Sequence, residues 1–90
     1  MLAETELQQA VAFLEAGDWQ SAHEIVQKDE ASSLACWAHG IVHLMEGDVP
    51  NARYWYREAG RPFPAEMGSD PIYSEIRALS SSAGIGRANR

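Results

Sequence analysis

The residues of this sequence best suited to chemistry are two histidines four positions apart, His39 and His43. Residues at i and i+4 share one face of an α-helix, so both imidazoles could reach a single metal ion. Cys36 lies three positions before this pair and Glu46 three positions after it, one turn away on the same face. Because Zn²⁺ prefers imidazole and thiolate ligands, this face is a candidate zinc site.

The alternative interpretation of this helix face is structural. The sequence has neither the Cys-x-x-Cys nor the His-Glu-x-x-His spacing that indicates a zinc site. Histidines on a packed face are more often hydrogen-bonded inside the fold, and a buried cysteine is usually inert. We therefore expect no cofactor, with zinc at this face as the alternative.

A row of arginines forms a second candidate site. Arg53, Arg57 and Arg61 follow one another at intervals of four residues, beside Tyr54. Guanidinium groups form paired hydrogen bonds with carboxylates, so this edge of a helix could bind an acidic peptide. A solvated face with local ion pairs is the alternative.

Signatures of catalysis are missing from the sequence. It contains no Gly-rich phosphate loop and no Gly-x-Ser-x-Gly elbow, and no constellation of cysteine, histidine and aspartate with a pocket can be named. We therefore expect a binding protein and not an enzyme.

Length and charge narrow the class of protein. Ninety residues, 46% of them hydrophobic, are enough for one domain with a small core. The formal charge is −6, with nine acids and one base in residues 1–50 against four acids and six arginines in residues 51–90. Because the acidic half would repel phosphate groups, we expect no nucleic-acid partner.

Cysteine usage and hydropathy indicate the compartment. A single cysteine cannot form an internal disulfide, which is typical of a reducing environment. The first residues lack the basic and apolar regions of a signal peptide, and no apolar run approaches the roughly 20 residues of a membrane span. We therefore expect a cytoplasmic protein with no membrane contact.

An internal repeat organises the elements that must position these side chains. Leu-Glu-Ala-Gly-Asp-Trp-Gln-Ser-Ala at 14–22 corresponds to Leu-Met-Glu-Gly-Asp-Val-Pro-Asn-Ala at 44–52, a period of 30 residues. Each copy predicts a helix, a Gly-Asp turn and a second helix. Gly17 and Gly47 end the first helices, and the aspartates after them cap the second helices.

A fifth helix is predicted after the second copy. Gly60 and the prolines beyond it end the fourth helix. Asp70 is the predicted N-cap of the fifth helix, with Pro71 in its first turn. Its apolar residues at helical spacing are Ile72, Ile76 and Leu79. We expect this helix to cap the repeats, so that residues 1–83 form a single domain and residues 84–90 a flexible tail.

The two copies resemble the tetratricopeptide repeat, a helical hairpin with small residues where its helices pack closely. The second copy matches the pattern with Gly40, Gly47, Asp48, Ala52, Tyr56, Ala59 and Pro64. The first copy matches it with Ala10, Phe13, Gly17, Asp18, Trp19, Ala22 and Val26. The period of 30 departs from the family's 34, and two copies are fewer than the usual three. The segment 51–61 is also similar to small bacterial proteins, a likeness that brings no activity with it.

The resemblance implies an all-α fold of about five helices, with two helix-turn-helix repeats closed by a capping helix. It also implies a concave face lined by Leu7, Val11, Leu14, Trp37, Ile41 and Leu44. Trp37 and Ile41 would anchor a partner peptide there. The favoured alternative is that the fifth helix covers this face, and a homodimer is a third way to bury it.

The sequence therefore predicts a cytoplasmic protein-interaction module, an adaptor or scaffold, whose partner is another protein or peptide. One alternative is a small metal- or ligand-binding helical protein that uses the face of His39 and His43. The other alternative is a homo-oligomeric structural protein.

Overall fold

The computed structural model describes residues 2–85, and these residues form an all-α fold without β-strands. The five helices in chain order are α1 (Glu4–Glu15), α2 (Trp19–Val26), α3 (Ser33–Glu46), α4 (Val49–Ala59) and α5 (Ser69–Ser82). The predicted all-α architecture of about five helices is confirmed. None of the described helices is long and apolar enough to cross a bilayer.

The helices form two hairpins and a closing element. In the first hairpin α1 packs on α2, and in the second α3 packs on α4. The central helix is α3, which contacts all four others, whereas α5 packs on α1 and α3. In the described part of the chain α2 and α4 both lie on α3 but do not pack on each other.

The sequence repeat is also a repeat of structure at the two Gly-Asp turns. Gly17 and Gly47 have φ angles of 81° and 90°, a left-handed conformation that ends each first helix. The carboxylates of Asp18 and Asp48 accept the backbone N–H three residues on, at 3.1 and 3.4 Å, and so cap each second helix.

Close packing inside the second hairpin depends on Gly40 of α3. A Cβ atom at this position would lie 2.5 Å from Cδ1 and 2.8 Å from Cε1 of Tyr56 on α4. Glycine therefore allows the Tyr56 ring to lie directly against the α3 backbone.

The apolar stripe predicted to line a concave face is the core. Its buried members are Val11, Leu14, Trp37, Ile41 and Leu44, clustered with Ile76 and Leu79 of α5. Coverage by the fifth helix is thus the alternative that the structure adopts. Trp37 and Ile41 are 1% and 0% exposed, so the prediction that these two residues bind a partner is wrong for this conformation.

The Glu75 carboxylate of α5 forms two hydrogen bonds with the second hairpin. Oε1 of Glu75 accepts the Tyr56 hydroxyl at 2.7 Å and the Trp37 indole N–H at 3.0 Å. Burial and the bond to Glu75 both raise the pKa of Tyr56, which therefore stays a donor. The polar atoms of two core aromatic residues are satisfied in this way.

The two ends of α5 differ from the prediction. The helix begins at Ser69 with Gly68 as its N-cap, so Asp70 lies in the first turn and is not the cap. A carboxylate there still interacts favourably with the positive end of the helix dipole. At the other end the Ile85 N–H donates to the Ser80 carbonyl at 2.9 Å, which closes the helix. The first two residues of the predicted tail, 84–85, therefore belong to this helix end, and 86–90 lie outside the described residues.

Candidate metal-binding site

His39 and His43 of α3 lie side by side, on the part of α3 that side chains of both α2 and α4 contact. Their rings are 5.1 Å apart between centroids and inclined by 23°, as expected for residues one helical turn apart. Both side chains are largely withdrawn from solvent, with 3% and 7% of their surface exposed. The predicted pair is thus brought together in a buried position.

A third imidazole joins this pair from the first hairpin. His23 of α2 is half-buried, and its ring lies edge-on to His39 and His43 with centroids 4.9 and 5.5 Å away. One ring nitrogen from each of the three histidines lies within 4.8 Å of the other two. Around a tetrahedral zinc ion, neighbouring nitrogens are about 3.3 Å apart, so ring movements of about 1 Å would close the set.

Sequence reasoning missed His23. It lies far from the other two histidines along the chain, and no spacing rule relates a residue of α2 to one of α3. The available signal is compositional, since the sequence contains three histidines and the spacing of two of them places both on one face. Packing of the first hairpin on the second brings the third histidine to that face.

An aromatic wall from α4 covers one side of the cluster. The indole ring of Trp55 lies 3.9 Å from the His39 ring, with 9° between the planes. Tyr54, which is 44% exposed, packs edge-on against Trp55 at 4.9 Å. Burial, and to a lesser extent the neighbouring His23 and His43, lower the pKa of His39 to about 3. At neutral pH His39 is therefore uncharged, the form that binds metals.

One atom of the cluster lacks a hydrogen-bond partner. Nδ1 of His39 is buried, and among residues 2–85 nothing donates to it or accepts from it. Leaving such a group unsatisfied costs about 1–3 kcal/mol. A cation coordinated by Nδ1 would satisfy it.

Glu46 orients a histidine and does not itself face the cluster. Nδ1 of His43 donates to Oε1 of Glu46 at 2.8 Å, which leaves Nε2 of His43 for an ion. The carboxylate of Asp48 also lies within 4.8 Å of the ligand atoms of His43 and Glu46. Of the predicted ligands, Glu46 is therefore next to the site but bonded to another ligand.

Cys36 lies apart from the histidines. Its thiol is buried and donates to the Glu30 carbonyl, with Sγ 3.4 Å from the oxygen. Burial raises the pKa of the thiol, and the charges of Glu58, Asp29 and Glu30 raise it further, so it remains protonated. No metal-ligand group of the described residues includes it. Its predicted place in the ligand set is wrong, because the thiol is bonded to a carbonyl of the connection before α3.

The predicted arginine row lies at the surface. The Arg53 guanidinium stacks over Phe63 with Cζ 4.3 Å from the ring centroid, and that of Arg61 over Trp37 at 3.7 Å. Arg57 is exposed. Within the described residues none of these arginines forms an ion pair, so the local pairing considered as the alternative is not observed there.

Comparison of the chain with models of protein families, with curated proteins and with solved structures gives no match. The likeness to tetratricopeptide repeats accordingly stays a prediction. Any function must be argued from the geometry of the chain itself.

Proposed function

We propose that this chain is a small metal-binding protein that holds one divalent ion of the zinc type between its two helical hairpins. The ligands are His23, His39 and His43. The observation that carries the proposal is the approach of three imidazole nitrogens to within 4.8 Å of one another, two of them on buried residues. The buried Nδ1 of His39, without a hydrogen-bond partner in residues 2–85, supports it independently.

The donor atoms select the class of ion. Mg²⁺ and Ca²⁺ prefer oxygen ligands, whereas neutral imidazole suits zinc and the later first-row transition metals. Cu(I) favours sulfur ligands, and the only cysteine of the chain, Cys36, is engaged elsewhere. Zn²⁺ is therefore the expected ion, with Cu²⁺, Co²⁺ and Ni²⁺ as chemically competent substitutes.

Such an ion would connect the two hairpins. His23 lies on α2, an eight-residue helix of the first hairpin, and the other two ligands lie on α3 of the second. A helix this short gains little stability from its own hydrogen bonds. Coordination would add a strong contact between α2 and α3, so metal binding and stability should be linked.

The test is a zinc titration of chelator-treated protein prepared without a histidine tag. We expect one equivalent to bind and the melting temperature to rise. At a free zinc concentration of 100 times Kd, the free energy of unfolding should increase by about 2.7 kcal/mol. His23→Asn should remove most of the affinity because it deletes one of three ligands. Glu24→Gln, which neutralises an exposed acid on the same helix, should leave it unchanged. Absence of stoichiometric zinc, or equal binding by His23→Asn, would overturn the proposal.

A protein-interaction role for two tetratricopeptide-like repeats is the second candidate. It is favoured by the exposed guanidinium groups of the arginine row, which form no ion pair in the described residues. The partner would be an acidic peptide or protein. The interaction would take place in the reducing cytoplasm, where a single unpaired cysteine is typical. Arg53→Glu combined with Arg57→Glu should keep the melting temperature and abolish partner capture. Capture that is unchanged contradicts this role, and a dimer in light scattering would favour the homo-oligomeric alternative.

A further inference from the structure

We infer that an ion bound by the three histidines keeps one coordination position open and binds a small anion there. The inference rests on the proposed metal-binding function. It adds the chemical class of ligand that the loaded site would take.

The first argument is the number of protein donors. Zinc in proteins is usually four-coordinate, and sites with three protein ligands keep the fourth position for water or an exogenous ligand. Among residues 2–85 the cluster contains His23, His39 and His43 and no further cysteine, aspartate or glutamate within 4.8 Å of all three. The described chain thus supplies three donors.

The second argument is that the remaining candidates for a fourth ligand are bonded elsewhere. Asp48, whose carboxylate lies within 4.8 Å of the ligand atoms of His43 and Glu46, caps α4 by accepting the Asn51 backbone N–H at 3.4 Å. The Cys36 thiol is bonded to the Glu30 carbonyl. The Glu46 carboxylate accepts from Nδ1 of His43. The two nitrogens of an imidazole point in different directions, so a carboxylate bonded to Nδ1 cannot ligate an ion held by Nε2 of the same ring. Glu46 is therefore a positioning residue for His43 and not a ligand.

The third argument concerns access. His39 is the most buried of the three and is stacked on Trp55, whereas His23 is half-buried. The least buried ligand marks the side on which solvent and solutes reach the ion. The open position therefore communicates with solvent past α2.

The fourth argument is charge. Three neutral imidazoles leave the double positive charge of the ion uncompensated in a partly desolvated site, where electrostatic interactions are stronger than in water. The nearest carboxylate, that of Glu46, is 38% exposed, so water screens it. A small anion in the open position would neutralise part of the remaining charge.

The size of the ligand follows from the surface around the cluster. The pockets beside residues 64–75 and between α1, α3 and the end of α5 lie away from the cluster. Neither is lined by a histidine. At the cluster itself His39 and His43 are 3% and 7% exposed and Trp55 covers one side, so the expected ligand is an anion of a few atoms, such as azide or thiocyanate.

The test uses protein loaded with Co²⁺, whose visible absorption reports the number and type of its ligands. We expect one equivalent of Co²⁺ to give visible bands that change, with saturation, when sodium azide or thiocyanate is added in chloride-free buffer. Bands that do not respond to either anion would overturn the inference and leave the proposed function standing. Failure of Co²⁺ and Zn²⁺ to bind at all would instead overturn the proposed function.

Two variants separate an open position from a hidden fourth ligand. If Cys36 were that ligand, a near-ultraviolet charge-transfer band from thiolate to Co²⁺ would appear in the parent protein and vanish in Cys36→Ala; we expect no such band. Glu46→Gln should still respond to azide, because Glu46 is not in the coordination sphere. A thiolate band, or loss of the azide response in Glu46→Gln with Co²⁺ still bound, would contradict the inference.

Discussion

The indole of Trp55 lies flat on the imidazole of His39, with 3.9 Å between ring centroids and 9° between their planes. This stacking joins α4 to the histidine cluster, although no residue of α4 is a candidate ligand. It shields His39 from water and is one reason why this histidine is uncharged. Trp55 therefore belongs to the site as its wall.

The stacking predicts an optical signal for metal binding. One equivalent of Cu²⁺ should quench much of the tryptophan fluorescence, because Trp55 is in contact with a ligand of the ion. In Trp55→Phe most of this quenching should be lost, whereas Trp37→Phe, on the opposite face of α3, should retain it. Quenching of equal depth in both variants would place the copper away from His39.

Glu46 should tune the affinity for metal without being required for it. Its bond to Nδ1 of His43 fixes the ring and leaves Nε2 for the ion, and removing such a partner typically costs 10–100-fold in affinity. We expect a loss in about that range for Glu46→Ala and no change for Glu24→Ala, measured by competition with a zinc indicator. In the metal-free protein, ¹⁵N chemical shifts should show the proton of His43 on Nδ1. A proton on Nε2 would contradict this role of Glu46.

The stability of the metal-free protein should depend on the protonation of His39. Its pKa is about 3 in the folded state against an ordinary value of 6.5, because burial disfavours the charged ring. The unfolded chain therefore binds the proton first. The stabilisation is fully present above about pH 6.5 and is lost as the pH falls toward 3. Between pH 7.5 and pH 5 this histidine alone should lower the free energy of unfolding by about 2 kcal/mol.

Urea unfolding of chelator-treated protein at several pH values measures this effect. The control is His39→Gln, which lacks the titrating group, so the difference in pH dependence between the two proteins isolates His39 whatever their absolute stabilities. Parallel pH profiles would show that His39 is protonated equally in the folded and unfolded states.

Gly40 should not tolerate even a methyl group. Alanine is normally better than glycine inside a helix by about 0.5–1 kcal/mol. Here a Cβ would lie 2.5 Å from the Tyr56 ring, so we expect Gly40→Ala to lower stability by about 1–3 kcal/mol. In a Tyr56→Leu background, which removes the ring, the same substitution should cost less, as a double-mutant cycle of denaturant midpoints would reveal. Stabilisation by Gly40→Ala in the parent protein would contradict the packing described.

Local chemistry was sufficient to predict most of the helix ends. The Gly-Asp turns at 17–18 and 47–48 combine a residue suited to the left-handed conformation with a carboxylate suited to an N-cap, and both features are visible in the sequence. The sequence predicts the first residue of α5 less accurately. Ser69, Asp70 and Pro71 are all suitable near a helix start, and which of them begins the helix depends on how the preceding loop packs.

The candidate site likewise has features that follow from the sequence and features that depend on tertiary packing. The sequence by itself determined that His39 and His43 share one face, because residues four apart in a helix are always neighbours. Only the tertiary structure decided that His23 joins them, that Cys36 faces a carbonyl and that Trp37 lies under α5. The physical reason is that spacing along one helix defines only that helix's own faces. Which helix lies opposite each face depends on burying the apolar stripes of all five helices at once.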